Sequence, residues 1–437
     1  MRVPAALARA RAELPPAIVK VLRTLGDAGH RSFIVGGAVR DLLLRRPGSP
    51  DFDVATPATP RQVSALFRKV IPTGIEHGTV TVVESGQAIE VTTFRGEGAY
   101  VDGRRPESVT FHTDLEADLA RRDFTMNALA WDPLAPEFRD PFGGRADMAR
   151  RIVRAVGDPA DRFREDGLRP MRAVRFAAQL RYGLHPATRA AIPGALEVVR
   201  KVSVERISDE LSRLVVAPHA ARALGLMRAT GLLATVLPAL AAAPRPVLDH
   251  ALAVLARTPP EAALRFAALL HPLPPAEAER ILVELRQPRR LSNAVADLLR
   301  GHLCRASSPS GSLPASRVEV RRWLSRVGLD RAGAVLALAE AEARALPASR
   351  SGRARREVAA LKRSFASSRS RMLALAPADL ALDGREVMAL LGAGPGPYVG
   401  EALRHLLDRV LEDPSLNEAG ALERELRAWW ASRPRPA

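Results

Sequence analysis

The chain has 437 residues and an apolar content of 47%, which is enough for two to four domains with sizeable cores. Its formal net charge of +17 favours a polyanionic partner such as nucleic acid, although all but four of the 65 basic residues are arginine, a bias to which the composition of the coding DNA contributes. The single cysteine, Cys304, excludes an intrachain disulfide and a cysteine-based zinc site. It fits a reducing cytoplasm, where we expect the protein to act.

The sequence predicts no membrane partner. The N-terminal segment carries charges at Arg2, Arg9 and Arg11 and has no long apolar stretch of the kind that a secretory signal needs. The longest uncharged run, residues 229–244, is short and broken by Pro238, so we expect it not to span a bilayer.

The first elements lead to a short buried strand and a glycine turn. Residues 1–31 have helical periodicity interrupted by a proline pair, and the apolar run 33–35 predicts a strand. Gly36 and Gly37 follow, then a helix from Ala38 to about Arg45. A glycine pair lets backbone N–H groups approach phosphate oxygens closely, and Arg40 supplies a charge-assisted fork to the same phosphates.

Asp51 and Asp53 begin the next predicted strand, after a Pro/Gly/Ser break. Because side chains alternate along a strand, both carboxylates point to one face, where a cation relieves their repulsion. Paired oxygen ligands suit Mg²⁺, which shares its remaining positions with water and substrate phosphates. The alternative interpretation is a solvated strand end, which is the commoner setting of an isolated Asp-x-Asp.

The head continues with a helix over residues 60–70, capped by Thr59, and a hairpin of strands over 79–84 and 88–94. Glu90 lies on the second hairpin strand. If that strand pairs with the Asp51/Asp53 strand, Glu90 is a candidate third acid at the metal site, and a solvated strand glutamate is the equally favoured alternative.

The segment from Arg95 to Pro106 is rich in glycine and charge and is predicted to be a mobile loop. Beyond it, Arg121, Arg122 and Asp123 lie between two predicted helical runs, where the arginines are either a solvated face or a triphosphate site. Asp123 is expected to orient an arginine or to meet a ribose hydroxyl. From about Ala146 the pattern is helical and we predict no further strands, so the fold class is an α/β head followed by an all-α remainder.

Arg169, Arg172 and Arg175 recur every three residues and form a basic ridge along one helix. Such a ridge is most often solvated surface, but Asp166 beside Arg169 offers a hydrogen-bonding edge for a nucleobase.

Residues 304–316, further along the chain, are predicted to be a Ser/Pro/Gly linker. After it, Trp323 lies among arginines, which predicts either RNA backbone contacts with base stacking or a solvated helix.

Several motifs, in this order, resemble the class II tRNA nucleotidyltransferase and bacterial poly(A) polymerase family, a branch of the polymerase-β-like nucleotidyltransferases. The motifs are GGAVRD (36–41), DFD (51–53), TTFR (92–95), RRDFTMNA (121–128), EDGLRPMRAVRFAAQL (165–180), ERISDEL (205–211) and the tail region 379–400. The resemblance implies a small mixed sheet with helices in the head and a seahorse-like order of four parts. These are a nucleotidyltransferase head (1–150), a neck that recognises the base (151–216), a body (217–303) and a tail that binds tRNA (317–437).

The resemblance also implies an activity: template-independent addition of C, C and A to the 3′ end of tRNA from CTP and ATP, with release of pyrophosphate. Asp51 and Asp53 would be the catalytic residues and would hold Mg²⁺. The residues implied to bind the nucleotide are Gly37, Arg40 and Arg122 at the triphosphate, Asp166 and Arg169 at the base, and Arg172 and Arg175 in support of either. The resemblance does not indicate an oligomeric state.

Departures from the family pattern matter for the expected chemistry. Gly167 replaces a usual proline and Pro170 follows Arg169, so either the helix starts late or Pro170 lies in its first turn. His250 and His271 lie where some relatives have a His-Asp phosphohydrolase, but Pro272 replaces the aspartate, and we expect no metal site and no second activity there.

The nearest alternatives to a CCA-adding enzyme are a poly(A) polymerase and an enzyme that adds A alone. Residues 73–83 are similar to the CCA-adding version, which argues against the first alternative. The loop over residues 95–106 argues against an enzyme that adds only CC. A catalytically inactive RNA-binding protein of the same architecture is disfavoured by the presence of both Asp51 and Asp53.

Overall fold

The computed structural model describes residues 2–48, 51–95, 100–101, 105–106, 114–303, 313–369 and 374–432. The chain divides into two compact units, Met1–Ala242 and Ala243–Ala437, which are described in turn. Most of the predicted loop at 95–106 and of the predicted linker at 304–316 lies outside the described residues. Among the helices that the structure describes, none has the length and apolar character needed to cross a membrane.

The first unit is built on a mixed sheet. Its strands are β1 (Phe33–Val35), β2 (Asp53–Thr56), β3 (Val70–Gly74), β4 (Thr79–Glu84), β5 (Gln87–Thr93), β6 (Tyr100–Val101), β7 (Arg105–Pro106), β8 (Ala130–Asp132), β9 (Glu137–Arg139), β10 (Ile152–Val153) and β11 (Gly183–Leu184). Seven of them form one sheet in the order β3-β4-β5-β2-β1-β8-β9, while β6 pairs with β7 and β10 with β11.

The centre of the sheet places two acidic residues side by side. Strand β2 pairs in parallel with β5, and Asp53 lies opposite Glu90 in the register. Along β5, Ile89 and Val91 are buried while Glu90 is exposed, as the period of two predicts. Glu90 was a candidate third acid only if these two strands pair, and they do.

The first 150 residues also form α-helices. They are α1 (Ala5–Ala10), α2 (Pro16–Asp27), α3 (Gly37–Leu43), α4 (Pro60–Leu66), α5 (Leu115–Ala120) and α6 (Gly144–Ala149). Thr59 caps α4 as predicted, with Gln62 completing a capping box. The helix ends earlier than predicted because Phe67 is extended and leads into the unpredicted strand β3.

The sequence interpretation was wrong about the segment after Arg122 and about the strands beyond Ala146. Instead of a second helix, Thr125–Asn127 forms a single 3₁₀ turn, and the fully buried strand β8 pairs with β1. Strands β10 and β11 pair in parallel through only two residues each. Such short strands carry no readable periodicity, and only their distant pairing defines them.

The remainder of the first unit is helical apart from β10 and β11. Its helices are α7 (Pro159–Glu165), α8 (Arg169–Leu180), α9 (Pro186–Ala191), α10 (Leu196–Arg200), α11 (Val204–Val215), α12 (Ala220–Ala229), α13 (Leu232–Val236) and α14 (Pro238–Ala241). Helix α8 packs against α11 and α12. Pro170 lies in the first turn of α8, where its missing N–H costs nothing, so the second of the two predicted alternatives is the correct one.

The second unit is helical throughout its described residues. Its helices are α15 (Arg245–Leu255), α16 (Ala262–Leu270), α17 (Pro275–Glu284), α18 (Arg289–Arg300), α19 (Arg317–Val327), α20 (Leu329–Ala345), α21 (Ala348–Arg369), α22 (Gly384–Leu391), α23 (Pro397–Glu412) and α24 (Ala419–Ala431). Trp323 is only 2% exposed, so it is a core side chain of this unit, and the prediction that it stacks on RNA bases is wrong.

Candidate functional site

The glycine turn after β1 lies against two guanidinium groups. Gly36 has a left-handed φ of 70°, and a Cβ atom at this position would lie 2.7 Å from Nη1 of Arg122. At Gly37 the corresponding atom would lie 3.6 Å from Nη2 of Arg40. The lack of a side chain at position 36 therefore leaves room for Arg122 directly beside the backbone. The structure thus places Arg40 beside Gly37 and Arg122 beside Gly36.

Arg40 is held by several groups within the protein. Its Nε and Nη2 atoms each donate to the carboxylate of Asp41 over 3.0 Å, and Nη1 donates to Oδ1 of Asn127 over 2.6 Å. Its guanidinium also lies 5.0 Å from the ring centroid of Phe176, within cation–π range. The side chain is buried. Its position at the glycine turn is therefore determined before any ligand binds.

Arg122 is positioned by the buried carboxylate of Asp118. This carboxylate accepts hydrogen bonds from Nε and Nη2 of Arg121 over 3.0 and 2.7 Å, and from Nη2 of Arg122 over 3.3 Å. Burial raises the pKa of Asp118, but Arg122 and Arg121 outweigh it and hold that pKa below its ordinary value. Nε of Arg122 is buried and has no hydrogen-bond partner among the described residues. The guanidinium beside the glycine turn approaches it through Nη1, and its positive charge suits an anionic ligand.

Asp53 on β2 is repelled by the carboxylates of Glu90 on β5 and of Asp51, which lies before β2 and not on the strand as predicted. Burial raises the pKa of Asp53 to about 6, Glu90 and then Asp51 add to the rise, and Arg122 opposes it. The three acids are thus close enough to interact, and Arg122 lies near them. Clustered carboxylate oxygens are the ligands that hard divalent cations prefer, and a bound cation would relieve the repulsion. The donor set therefore fits a divalent metal held by Asp51 and Asp53, with Glu90 opposite Asp53 in the strand register.

A chain of hydrogen bonds joins the glycine turn to helix α8. Asn127 accepts from Arg40 and donates through Nδ2 to Oδ1 of Asp123 over 2.9 Å. The other carboxylate oxygen of Asp123, Oδ2, accepts from Nε of Arg172 over 2.8 Å and lies 2.6 Å from its Nη2 as an ion pair. Asp123 orients an arginine, which was one of its two predicted roles. Burial opposes ionisation of Asp123, but Arg172 and Asn127 hold its pKa below the ordinary value.

The basic ridge on α8 is mostly buried rather than solvated. Arg175 donates through Nε to Glu210 of α11 and through Nη1 to Gln179 over 2.6 Å. Arg172 also lies 3.5 Å from Glu210. The ring of Phe176 contacts both guanidinium groups, with 3.9 Å from the ring centroid to Arg175 and 5.4 Å to Arg172. The ridge is therefore a preorganised group of charges whose orientation depends on α11.

Arg169 and Asp166 engage different partners. Arg169 donates to Oε2 of Glu165 over 2.6 Å and to the carbonyl oxygens of Arg162 and Arg121, each over 2.9 Å. Asp166 accepts from the backbone N–H of Leu168 over 3.0 Å and from Nη2 of Arg206 over 2.9 Å. Arg169 thus ties the start of α8 to the head.

Asp166 is oriented by Arg206 on α11, a residue that the sequence interpretation did not single out. It also missed Asn127, Phe176 and Glu210. All four lie inside the motifs quoted from the sequence, which is the signal that pointed to them. Three of their hydrogen bonds, to Arg40, Arg175 and Asp166, span 35 to 87 residues, so no local spacing identifies those contacts.

Gly167 lies against the backbone at the end of α10. A Cβ atom at this position would lie 2.5 Å from the carbonyl oxygen of Val198 and 3.0 Å from the backbone nitrogen of Val199. No side chain fits without a shift of backbone. This close packing explains why the residue beside Asp166 is glycine in this chain.

Two regions of the chain match known family models, and the chain as a whole matches a curated relative. Residues 32–154 match the family described as the poly A polymerase head domain, and residues 182–243 match the family described as a probable RNA and SrmB-binding site of polymerase A. The CCA-adding enzyme of Geobacillus stearothermophilus is 39% identical over 417 residues, which cover 95% of this chain and 96% of that enzyme.

Solved structures are similar over the whole length. The Bacillus stearothermophilus CCA-adding enzyme in complex with CTP has a TM-score of 0.76 at 35% identity, and the match covers 96% of this chain and 99% of that one. The Thermotoga maritima CCA-adding enzyme complexed with tRNA has a TM-score of 0.69 at 17% identity, covering 98% of this chain and all of that one. At this identity, the second comparison supports the fold of this chain alone.

Proposed function

The chain belongs to the CCA-adding enzyme family, and from this membership we propose that it adds C, C and A in turn to the 3′ end of tRNA, using CTP and ATP and releasing pyrophosphate. The full-length relatives are CCA-adding enzymes, which favours this activity over a poly(A) polymerase or an enzyme that adds A alone. The observation that carries the proposal is the group of carboxylates at Asp51, Asp53 and Glu90 beside Arg122 and the glycine turn.

The acids are proposed to hold the divalent metal on which such transfer depends. Asp51 and Asp53 would be the ligands, with Mg²⁺ as the ion, and Glu90 lies opposite Asp53 as a further oxygen donor. The ion, when bound, would lower the pKa of the RNA 3′-hydroxyl and neutralise charge on the leaving pyrophosphate. Asp53 would bind the ion in its ionised form. Because its pKa is raised, a nearby cation would favour that ionisation.

The glycine turn and its arginines are proposed to hold the triphosphate. The open backbone at Gly37 permits close approach of phosphate oxygens, and Arg122 offers its guanidinium charge beside Gly36. Arg40 keeps the turn in place through Asp41 and Asn127, and reaches a phosphate only if it exchanges its carboxylate partner. These residues stay within one preorganised network during binding.

Base selection is assigned to the start of α8. Asp166 and Arg169 would offer acceptor and donor groups to the Watson–Crick edge of cytosine or adenine in place of a template. Arg172 and Arg175, which are held by Asp123 and Glu210, would support Asp166 and Arg169 in this role. Arg206 neutralises Asp166 in the absence of a nucleotide, so the carboxylate has to exchange this partner when a base binds.

The proposed division into head, neck, body and tail at residues 1–150, 151–216, 217–303 and 317–437 stays a prediction, as does tRNA binding by the tail. A cytoplasmic location likewise stays a prediction from the sequence.

An assay with defined substrates tests the activity. The protein is incubated with tRNA lacking its 3′ end, with Mg²⁺ and labelled CTP and ATP, separately and together. We expect two C additions with CTP alone, one further A when ATP is present, and then termination. Long A tails on unrelated RNA would contradict the proposal. Asp53→Ala should abolish incorporation and leave tRNA binding largely intact, and residual incorporation in that variant would count against the metal assignment.

A further inference from the structure

A group of histidines lies in the second unit, far in sequence from the acids and arginines of the first unit. His250 is on α15, His271 directly follows α16, and His302 follows α18. Glu342 on α20 completes the group. The first three precede the predicted linker at 304–316 and the glutamate follows it, so the tertiary structure alone brings them together.

The carboxylate of Glu342 lies between two imidazoles. Its Oε2 atom is 3.0 Å from Nε2 of His302, and its Oε1 atom is 4.0 Å from Nε2 of His250. The ring centroids of His250 and His271 are 5.5 Å apart. One ligand atom from each of His250, His271 and Glu342 can be chosen so that all three lie within 4.8 Å of one another. These are the distances of side chains that converge on one point.

The hydrogen bonds leave the correct atoms available for a metal. Nδ1 of His271 is 2.9 Å from the carbonyl oxygen of Ala268, and because a carbonyl can only accept, Nδ1 carries the proton. Nε2 of His271 therefore presents a lone pair, which is how a ligating histidine is usually oriented by its second nitrogen. His302 orients Glu342 in the same way, from the other side of the carboxylate.

We propose that His250, His271 and Glu342 bind a divalent transition-metal ion, with His302 as the residue that positions Glu342. Two imidazoles and one carboxylate suit Zn²⁺, and three protein ligands leave a fourth tetrahedral position for water. Ligand atoms of such a site lie about 3–3.5 Å apart, so small side-chain rotations close the set around the ion. The ion fastens α20 to α15 and α16, across the predicted linker.

This proposal differs from the expectation drawn from the sequence. The replacement of an aspartate by Pro272 indicated that no metal would bind here. In the structure the carboxylate comes instead from Glu342, 71 positions after His271, which a local His-Asp pattern cannot reveal. The inferred role is to hold helices together, and no second reaction is proposed.

Metal content of the full-length protein tests the site. The protein is stripped with a chelator, equilibrated with Zn²⁺ in excess Mg²⁺, and dialysed before elemental analysis. We expect one retained Zn²⁺ per chain in the wild type and in Asp53→Ala, which removes an acid of the head. His271→Ala and Glu342→Gln should lose that ion, whereas His405→Ala should keep it. His405 is a matched control because it lies in the same unit, stacked on Trp429.

A second measurement guards against loss of folding in the variants. Zn²⁺ should raise the thermal midpoint of the stripped wild type by several degrees and leave that of Glu342→Gln unchanged, because only the intact site binds the ion. Glu342→Gln keeps the size of the side chain and an acceptor for His302, so its metal-free stability should stay near that of the wild type. The proposal is overturned if the wild type retains no Zn²⁺, or if His271→Ala and Glu342→Gln retain it as the wild type does.

Discussion

The guanidinium of Arg172 contacts one carboxylate oxygen of Asp123, 49 residues earlier in the chain, through a hydrogen bond of 2.8 Å from Nε and an ion-pair distance of 2.6 Å to Nη2. This contact joins the helix that carries the basic ridge to the segment that carries Arg122. Because Asp123 also accepts from Asn127, which in turn accepts from Arg40, the groups assigned to triphosphate and base share one network. We therefore expect a substitution of any residue in this network to affect both triphosphate binding and base binding.

Asp123→Asn should destabilise the protein by about 2 kcal/mol and raise KM for both CTP and ATP. One oxygen of Asp123 accepts from Asn127 and from the N–H of Phe124, and the other accepts from Arg172, so either placement of the new NH₂ group faces donors. Chemical denaturation and initial rates measure the two effects. Asp161→Asn is the control, since its exposed pair with Arg164 should contribute less than about 0.5 kcal/mol. Equal stability of the two variants would contradict the prediction.

Gly167→Ala should destabilise by roughly 1–3 kcal/mol, because its Cβ would lie 2.5 Å from the carbonyl oxygen of Val198 and the backbone has to shift. The shift displaces the adjacent Asp166, so the ratio of C to A incorporation should change as well. In contrast, Gly225→Ala in α12 meets nothing within 4 Å and should stabilise by up to about 1 kcal/mol. Thermal unfolding of both variants is the measurement. A stable Gly167→Ala protein with unchanged base selection would refute the packing argument.

The stability of metal-free protein should depend on pH through Asp53. Its pKa is about 6 in the folded chain against 3.8 ordinarily, so the folded state binds the proton more tightly than the unfolded state. The contribution of this group is therefore present below about pH 4 and lost as pH rises through 6, by up to roughly 3 kcal/mol. The free energy of unfolding in chelator, wild type minus Asp53→Asn, should fall across that window. Parallel curves would show that Asp53 is not perturbed.

Adding Mg²⁺ at neutral pH supplies the complementary measurement. The ion binds the ionised acids of the folded state, so it should recover stability in the wild type and much less in Asp53→Asn. An equal increase in the free energy of unfolding of both proteins would show that the ion does not bind at Asp53.

Arg169→Lys should weaken both the fold and nucleotide binding, despite the conserved charge. A single ammonium cannot span Glu165 and the carbonyl oxygens of Arg162 and Arg121, and an unsatisfied buried acceptor costs about 1–3 kcal/mol. KM for CTP and ATP should rise, while Arg164→Lys, at an exposed position of α7, should leave both stability and KM close to the wild type. Steady-state kinetics and thermal unfolding distinguish these outcomes.

Local patterns along the chain were enough to predict the strand, glycine turn and helix at residues 33–43, the exposure of Glu90 between Ile89 and Val91, and the motifs that contain the arginines. These features follow from period and residue type, which act over a few positions. The pairing of Asp53 with Glu90, and the burial of Arg175 against Phe176 and Glu210, became known from the folded chain. The folded chain also shows that Trp323 is core and that Glu342 joins two distant histidines. The reason is physical: burial and charge pairing depend on which distant segments meet, and no spacing along the chain records that meeting.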